Sequence, residues 1–360
     1  MSLLERENLF RLLRSGERVN ALLGLTLAEE LNVDIQPFLE DIEILYSWMY
    51  NKQDTTTIET AQKIVTIFSC EKLVVSDWDP EVNAVPIPVQ IDYLLNVKTL
   101  RILGEMIDNI PAEIGNLTQL TELYIAGTQK LNSLPTNIGK LHQLQSLTLL
   151  LHGFQDFPKE ILSLTALQYL NLESNFLTQL PTQIGQLTQL TELRLVSNQI
   201  ERLPAEIGSL VHLSVLDMNQ NRLTSLPAEI GNLTWLETLF FSVNLLDTLP
   251  SEIGKLVRIE RIFLVENKFE QFPVVLTQLT QLRDLYLSKN HLRVIPADIG
   301  LLTQLEILIL DENQLESLPP EISKLTKLKY LNLVGNPLTV QARADVTKWL
   351  PKCIIQFEGS

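Results

Sequence analysis

Eight asparagines, Asn175, Asn198, Asn221, Asn244, Asn267, Asn290, Asn313 and Asn336, follow one another at intervals of 23 residues. Prolines hold the same step without a gap from Pro135 to Pro319. A period of this size, sustained this long, restricts a chain to a stack of similar coils, each burying its apolar side against its neighbours. Nothing else in the 360 residues narrows the possible folds so far.

One period, LTELRLVSNQIERLPAEIGSLVH over 190–212, shows what each coil contains. Leu193 and Leu195 alternate with Glu192, Arg194 and Val196, the pattern of a short strand with one buried face. Asn198 follows where the chain must bend. Its amide both donates and accepts, so it can satisfy backbone groups that a buried bend would strand. The eight asparagines are therefore read as a structural ladder. Leu203 and Pro204 begin the return path, where proline fixes φ and needs no donor. Ile207 points inward, and Gly208 is expected to permit the turn that follows. Glycine holds that place at 115, 139, 185, 208, 231, 254 and 300, and Leu162, Thr277 and Ser323 replace it.

The phrase LxxLxLxxNxI followed by xxLPxxIGxL recurs from about residue 94 to 357 and resembles the leucine-rich repeat family. The 23-residue step and the LPxEIGxL phrase resemble its intracellular branch, which includes Ras-binding scaffolds and many bacterial repeat proteins. The resemblance implies an α/β fold: a right-handed solenoid with a curved parallel sheet on its concave face and irregular or 3₁₀ segments on the convex side. It also implies that extracellular members carry disulfide-bonded caps. Cys70 and Cys353, the two cysteines, cannot build those, so a reducing, cytoplasmic location is expected.

Three segments are expected. Residues 1–72 form an N-terminal helical cap or docking segment, 73–338 the solenoid with a degenerate first coil, and 339–360 a C-terminal cap. Helices are expected at 3–14, 17–31, 36–50 and 56–69. Leu9, Leu12, Leu13, Leu22, Leu23, Leu27, Leu31, Phe38, Leu39, Ile42, Leu45, Trp48, Ile64, Val65 and Phe68 supply their apolar faces. Such a segment would cover the core and strand edge that a first coil exposes. Leu73 and Val75 read as the strand of that coil, and extra residues around Trp78-Asp79-Pro80 as a bulge. Glu105, Thr128 and His152 stand where the ladder expects asparagine, with an insertion at Gln129-Lys130, so the early coils should be least regular. After Asn336, a helix at 340–350 should bring Trp349 and Leu350 onto the last coil. A strand at 353–357 follows, with Cys353 as apolar filler.

The formal net charge is −15. This excludes the basic footprint of a nucleic-acid binder and opposes attraction to anionic membrane. Glu113, Glu160, Glu206, Glu229, Glu252, Asp298 and Glu321 share one column of the return path. That column reads as a solvated surface or as a stripe for a basic partner. No apolar run spans a bilayer, and the amphipathic N-terminus does not read as a signal peptide. No phosphate loop, HExxH, CxxC or GxSxG motif is present. His142, His152, His212 and His291 are scattered. No catalytic residues, metal site or cofactor are expected.

The strand positions between the inward leucines point away from the core. The central column reads Arg101, Tyr124, Thr148, Asn171, Arg194, Asp217, Phe240, Phe263, Tyr286, Ile309 and Asn332. Phe240 to Ile309 form an apolar run about 14 Å long at the usual strand spacing. The preceding column adds Tyr169, Arg261, Asp284, Ile307 and Tyr330. The following column adds Glu173, Asn219, Val265, Ser288 and Asp311. Exposed apolar residues rimmed by charge mark interaction sites, and aromatic and arginine side chains dominate interface energy. The competing explanation is strand propensity and ring pairing alone. The expectation is a non-enzymatic scaffold in intracellular signalling that binds a protein or peptide through Tyr124, Tyr169, Arg194, Asp217, Phe240, Arg261, Phe263, Asp284, Tyr286, Ile309 and Tyr330. Alternatives are a small-GTPase-binding regulator, a targeting domain for an enzyme on another chain or in a longer protein, and self-association through the aromatic stripe.

Overall fold

The computed structural model describes residues 3–30, 33–49, 60–76, 87–104, 107–127 and 130–358. The expectations placed on Glu105, Thr128, Gln129 and Trp78-Asp79-Pro80 lie outside these residues. So do Leu31, residues 50 and 56–59 of the expected helices, and the side chain of Val65. The chain forms two compact units, Met1–Phe154 with Pro158–Leu167, and Gln155–Phe157 with Gln168–Ser360.

The first unit opens with four helices, α1 (Leu3–Leu13), α2 (Arg18–Glu30), α3 (Gln36–Met49) and α4 (Thr60–Ser69). Leu13, Ile42, Leu45, Ile64, Ile67 and Phe68 form their core. Leu22 and Leu23 were expected there but are exposed. The reason is the small face of α2. Ala21 and Ala28 are buried, and a Cβ on Gly24 would lie 2.8 Å from the Leu13 side chain. The close approach to α1 therefore uses small residues and turns the leucines outward.

Four parallel strands follow in chain order, β1 (Lys72–Ser76), β2 (Thr99–Gly104), β3 (Glu122–Gly127) and β4 (Ser146–Leu150). Asp41 of α3 accepts from Tyr93 Oη at 2.8 Å and from Gln90 Nε2 at 2.9 Å, which ties the helices to the 3₁₀ turn Val89–Tyr93. Burial and the Asp41 carboxylate push the Tyr93 hydroxyl up to about 12. Phe38 stacks on Phe68 at 6.3 Å, and the Arg14 guanidinium lies 5.0 Å from the Tyr93 ring centre.

The second unit carries nine parallel strands. They are β5 (Tyr169–Asn171), β6 (Glu192–Arg194), β7 (Val215–Asp217), β8 (Thr238–Phe240), β9 (Arg261–Phe263), β10 (Asp284–Tyr286), β11 (Ile307–Ile309), β12 (Tyr330–Asn332) and β13 (Ile354–Gln356). From β5 to β12 each residue pairs with the one 23 positions later, as Leu216 with Leu239 and Leu239 with Ile262. The return paths are 3₁₀ turns such as Ala205–Ser209, each entered through an extended proline such as Pro204 at φ −71° and ψ 154°. The helix α5 (Val340–Trp349) starts on a Thr339 hydroxyl that accepts from Ala342 N–H. Val346 and Leu350 are buried, while Trp349 is only half-buried.

From Asn198 to Asn336 the asparagines link each coil to the one before. Asn198 Oδ1 accepts from Leu177 N–H at 3.0 Å. Its Nδ2 donates to Leu172 O at 3.0 Å and to Leu195 O at 3.1 Å. Asn221, Asn244 and Asn267 repeat the arrangement. The residue before each is in the left-handed region, from Ser174 at φ 57° to Glu312 at φ 51°, and includes the β-branched Val243.

Gly208 differs from expectation in its reason. Its φ is not positive, so the turn does not require glycine. A Cβ there would lie 2.5 Å from the Glu229 carbonyl of the next coil, and at Gly231 the same distance from Glu252 O. At Gly208 and Gly231 glycine is needed for the approach of the next coil.

Candidate protein-binding site

The apolar run expected from the sequence is built by four consecutive coils of the second unit. Phe240, Phe263, Tyr286 and Ile309 pair across β8 to β11 at equivalent positions. Strands repeat at about 4.8 Å, and the rings adopt that spacing. Phe240 and Phe263 stack at 4.6 Å with 14° between planes, and Phe263 and Tyr286 at 4.5 Å with 16°. All four side chains are half-buried. Each ring therefore covers its neighbour's face and leaves its outer edge to solvent. Such contacts contribute about 0.5–1.5 kcal/mol per pair, so the row stabilises the sheet as well as exposing apolar surface.

The run is bounded by a different chemistry in the same column. Asn171, Asp217 and Asn332 each accept from the N–H two residues ahead, at 2.9, 3.1 and 3.1 Å. These short side chains close the strand ends locally. Asp217 is buried, and burial raises its carboxyl above the usual range, while Arg194 opposes the shift. Arg194 itself donates to Glu192. Arg194 and Asp217, both expected among the partner-binding residues, are thus each bonded within their own coil.

Arg261 is exposed and Asp284 half-buried at the matching position of the next strand. Burial raises the Asp284 carboxyl, and Arg261 counteracts this. Tyr286 is raised by burial, with Asp284 adding to it. Tyr330 Oη donates to Gln356, and Tyr169 Oη accepts from Asn171 Nδ2 at 3.3 Å. Tyr124 lies in the first unit, with the Arg101 guanidinium 5.7 Å from its ring centre. The structure thus places Phe240, Arg261, Phe263, Asp284, Tyr286 and Ile309 on one face and engages Arg194, Asp217, Tyr169 and Tyr330 in local bonds.

Two features escaped the sequence reading. The column after the ring row bonds to backbone or to its neighbour: Asn219 Oδ1 accepts from Ser242 N–H at 2.7 Å, Ser242 Oγ from Val265 N–H at 3.2 Å, and Ser288 Oγ donates to Asp311 at 2.6 Å. Away from the strands, Trp235 is half exposed with the Arg258 guanidinium 3.7 Å from its ring centre. A tryptophan where other coils carry Gln189 or Gln281 was the available signal.

Among the described residues, no group of three His, Cys, Asp or Glu side chains is placed to hold a metal ion. None of the described helices is long and apolar enough to cross a membrane. Cys353 is pushed up to about 11 by burial, which suits packing and not thiolate chemistry.

A parallel sheet advancing one strand per 23 residues from β5 to β12, with an asparagine at the buried bend of each of those coils, defines a repeat scaffold. The family described as leucine-rich repeat region matches residues 132–220 and 193–287, and that described as leucine rich repeat matches 275–338. A leucine-rich repeat protein of Leptospira interrogans is 32% identical over 76% of this chain and 81% of its own, with a TM-score of 0.60. The chain belongs to the leucine-rich repeat family, and its fold is an α/β leucine-rich repeat solenoid with an N-terminal helical segment. An internalin of Listeria monocytogenes is similar in fold, at 24% identity over 90% of this chain and 95% of its own, with a TM-score of 0.64. The ectodomain of the membrane receptor kinase GASSHO1/SCHENGEN3 from Arabidopsis thaliana was solved in complex with Casparian strip integrity factor 2. It is 26% identical over 82% of this chain and 42% of its own, with a TM-score of 0.56. No curated protein matches. Scaffolds of this family typically bind proteins or peptides.

Proposed function

We propose that this protein is a non-enzymatic scaffold in intracellular signalling that receives a protein or peptide on the outward strand face of its second unit. The observation that carries the reading is the row Phe240–Phe263–Tyr286–Ile309. Three aromatic side chains and an isoleucine occupy consecutive outward positions, where solvent favours polar groups. The Arabidopsis receptor, solved with a bound factor, supports a binding role for such a scaffold. A cytoplasmic setting is supported by both cysteines being free.

The test is Phe263→Ala with Tyr286→Ala. The double substitution removes two of the four apolar groups and should weaken partner binding by about 2–4 kcal/mol if they are central anchors. It also removes both ring stacks, so the thermal midpoint should fall by several degrees, in contrast to the negligible change that outward residues suggest. Affinity capture from the native cell extract, run well below both midpoints, compares the two forms. Identical captured partners at identical yield would rule the face out.

A further inference from the structure

The surroundings of the ring row say more about what lies on it. Over the five segments 214–220, 237–243, 260–266, 283–289 and 306–312, eight carboxylates stand against three cations. Of those cations, Arg283 already lies between Glu260 at 3.8 Å and Glu306 at 3.6 Å. Only Arg261 is a cation within the strand triplets β7 to β11. Asp284 adjoins Tyr286 on the same strand, and Asp311 lies just past Ile309. Burial raises the Asp284 carboxyl; Arg261 and Arg283 oppose that shift, and Glu306 and Glu260 add to it.

Such a rim repels an acidic segment or a nucleic-acid backbone and favours a positive one. The two ring spacings, 4.6 and 4.5 Å, plus one further strand step to Ile309 give about 14 Å, the reach of about four extended residues. The exposed ring edges offer an apolar strip and no unpaired backbone, so the occupant must bring its own apolar side chain. Resting on the binding reading above, we infer that the occupant is an extended cationic polypeptide segment, with an apolar side chain laid across the rings and Lys or Arg on either side.

The experiment is peptide display from a random library on the immobilised full chain, with counter-selection against Phe263→Ala/Tyr286→Ala. The expected result is a set of ring-dependent peptides enriched in Lys or Arg flanking an apolar residue. For a selected peptide, Asp284→Asn with Asp311→Asn should lower affinity about ten-fold at low salt. That loss should shrink in about 0.5 M NaCl. Ring-dependent peptides without basic enrichment, or equal affinity for the Asn variant, would overturn the cationic occupant and leave the binding face standing. Failure to select any ring-dependent peptide would overturn both.

Discussion

His152 shows how much depends on a single side chain in a stacked coil. It occupies a ladder position, fully buried, with Nε2 3.1 Å from Ile125 O and Phe154 edge-on at 5.9 Å. Burial, only partly offset by the Ile125 carbonyl, lowers its pKa to about 4. An asparagine amide there would stay neutral at any pH, whereas an imidazole takes up a proton readily once the chain unfolds. The unfolded state therefore binds more protons below about pH 6.5, and stability rises with pH from about 4 to 6.5 and then levels off. At pH 5 the loss relative to pH 7 should be about 2 kcal/mol. Urea unfolding of wild type and His152→Asn at both values measures it. The variant should lose this component of the pH dependence. Equal dependence in both forms would show that the folded state accommodates the imidazolium.

At the level of the coil, contact between neighbours sets what each turn tolerates. Ala at Gly231 would place Cβ 2.5 Å from Glu252 O and 2.7 Å from Glu252 Cβ. Backbone on both sides cannot yield, so Gly231→Ala should cost about 2–3 kcal/mol. At Gly139 the nearest atom is the Ser163 Cβ at 3.2 Å. There the same change should lie within about 1 kcal/mol of neutral, helped by a stiffer unfolded chain. Denaturant midpoints of the two variants decide it: equal losses would return glycine to the turn-forming role expected from sequence. Strands, return paths and ladder were legible because period-2 leucines, prolines and asparagines recur with the coil, while the 3₁₀ form of the return path was one of two that the family resemblance implied. The glycine's reason was not, because distance to the next coil has no signature within one repeat. In α2 the helical pattern was visible, but which stripe turned inward depended on Gly24 meeting Leu13.

Across the whole molecule, a net charge of −15 makes self-repulsion a standing term against compact structure. Its exposed ion pairs, such as Lys329 with Glu306 and Lys98 with Glu71, are each worth little. Screening should therefore relieve more repulsion than it removes attraction. The thermal midpoint should rise by a few degrees between about 10 and 200 mM NaCl, where the screening length falls below the size of a domain. Scanning calorimetry across that range checks it, and a falling midpoint would mean that the ion pairs outweigh the net charge. The aromatic row was legible because the ladder fixes which residues face outward. The roles of its polar neighbours were not, because Asp217 and Arg194 look like free charges until the Asn219 N–H and Glu192 are seen to hold them.

The asparagine ladder also bears on heredity. From Asn198 onward each amide bonds within its own coil and to the one before it, as Asn244 does through Phe241 O in its own coil and through Leu223 N–H and Met218 O in the preceding one. Loss or duplication of one coil's worth of codons brings together junctions that already match, while a shift of one residue breaks them. Unequal crossing-over between neighbouring repeats can thus lengthen or shorten the row of rings one rung at a time. Recognition in such a lineage would change in whole steps, with the scaffold intact at each.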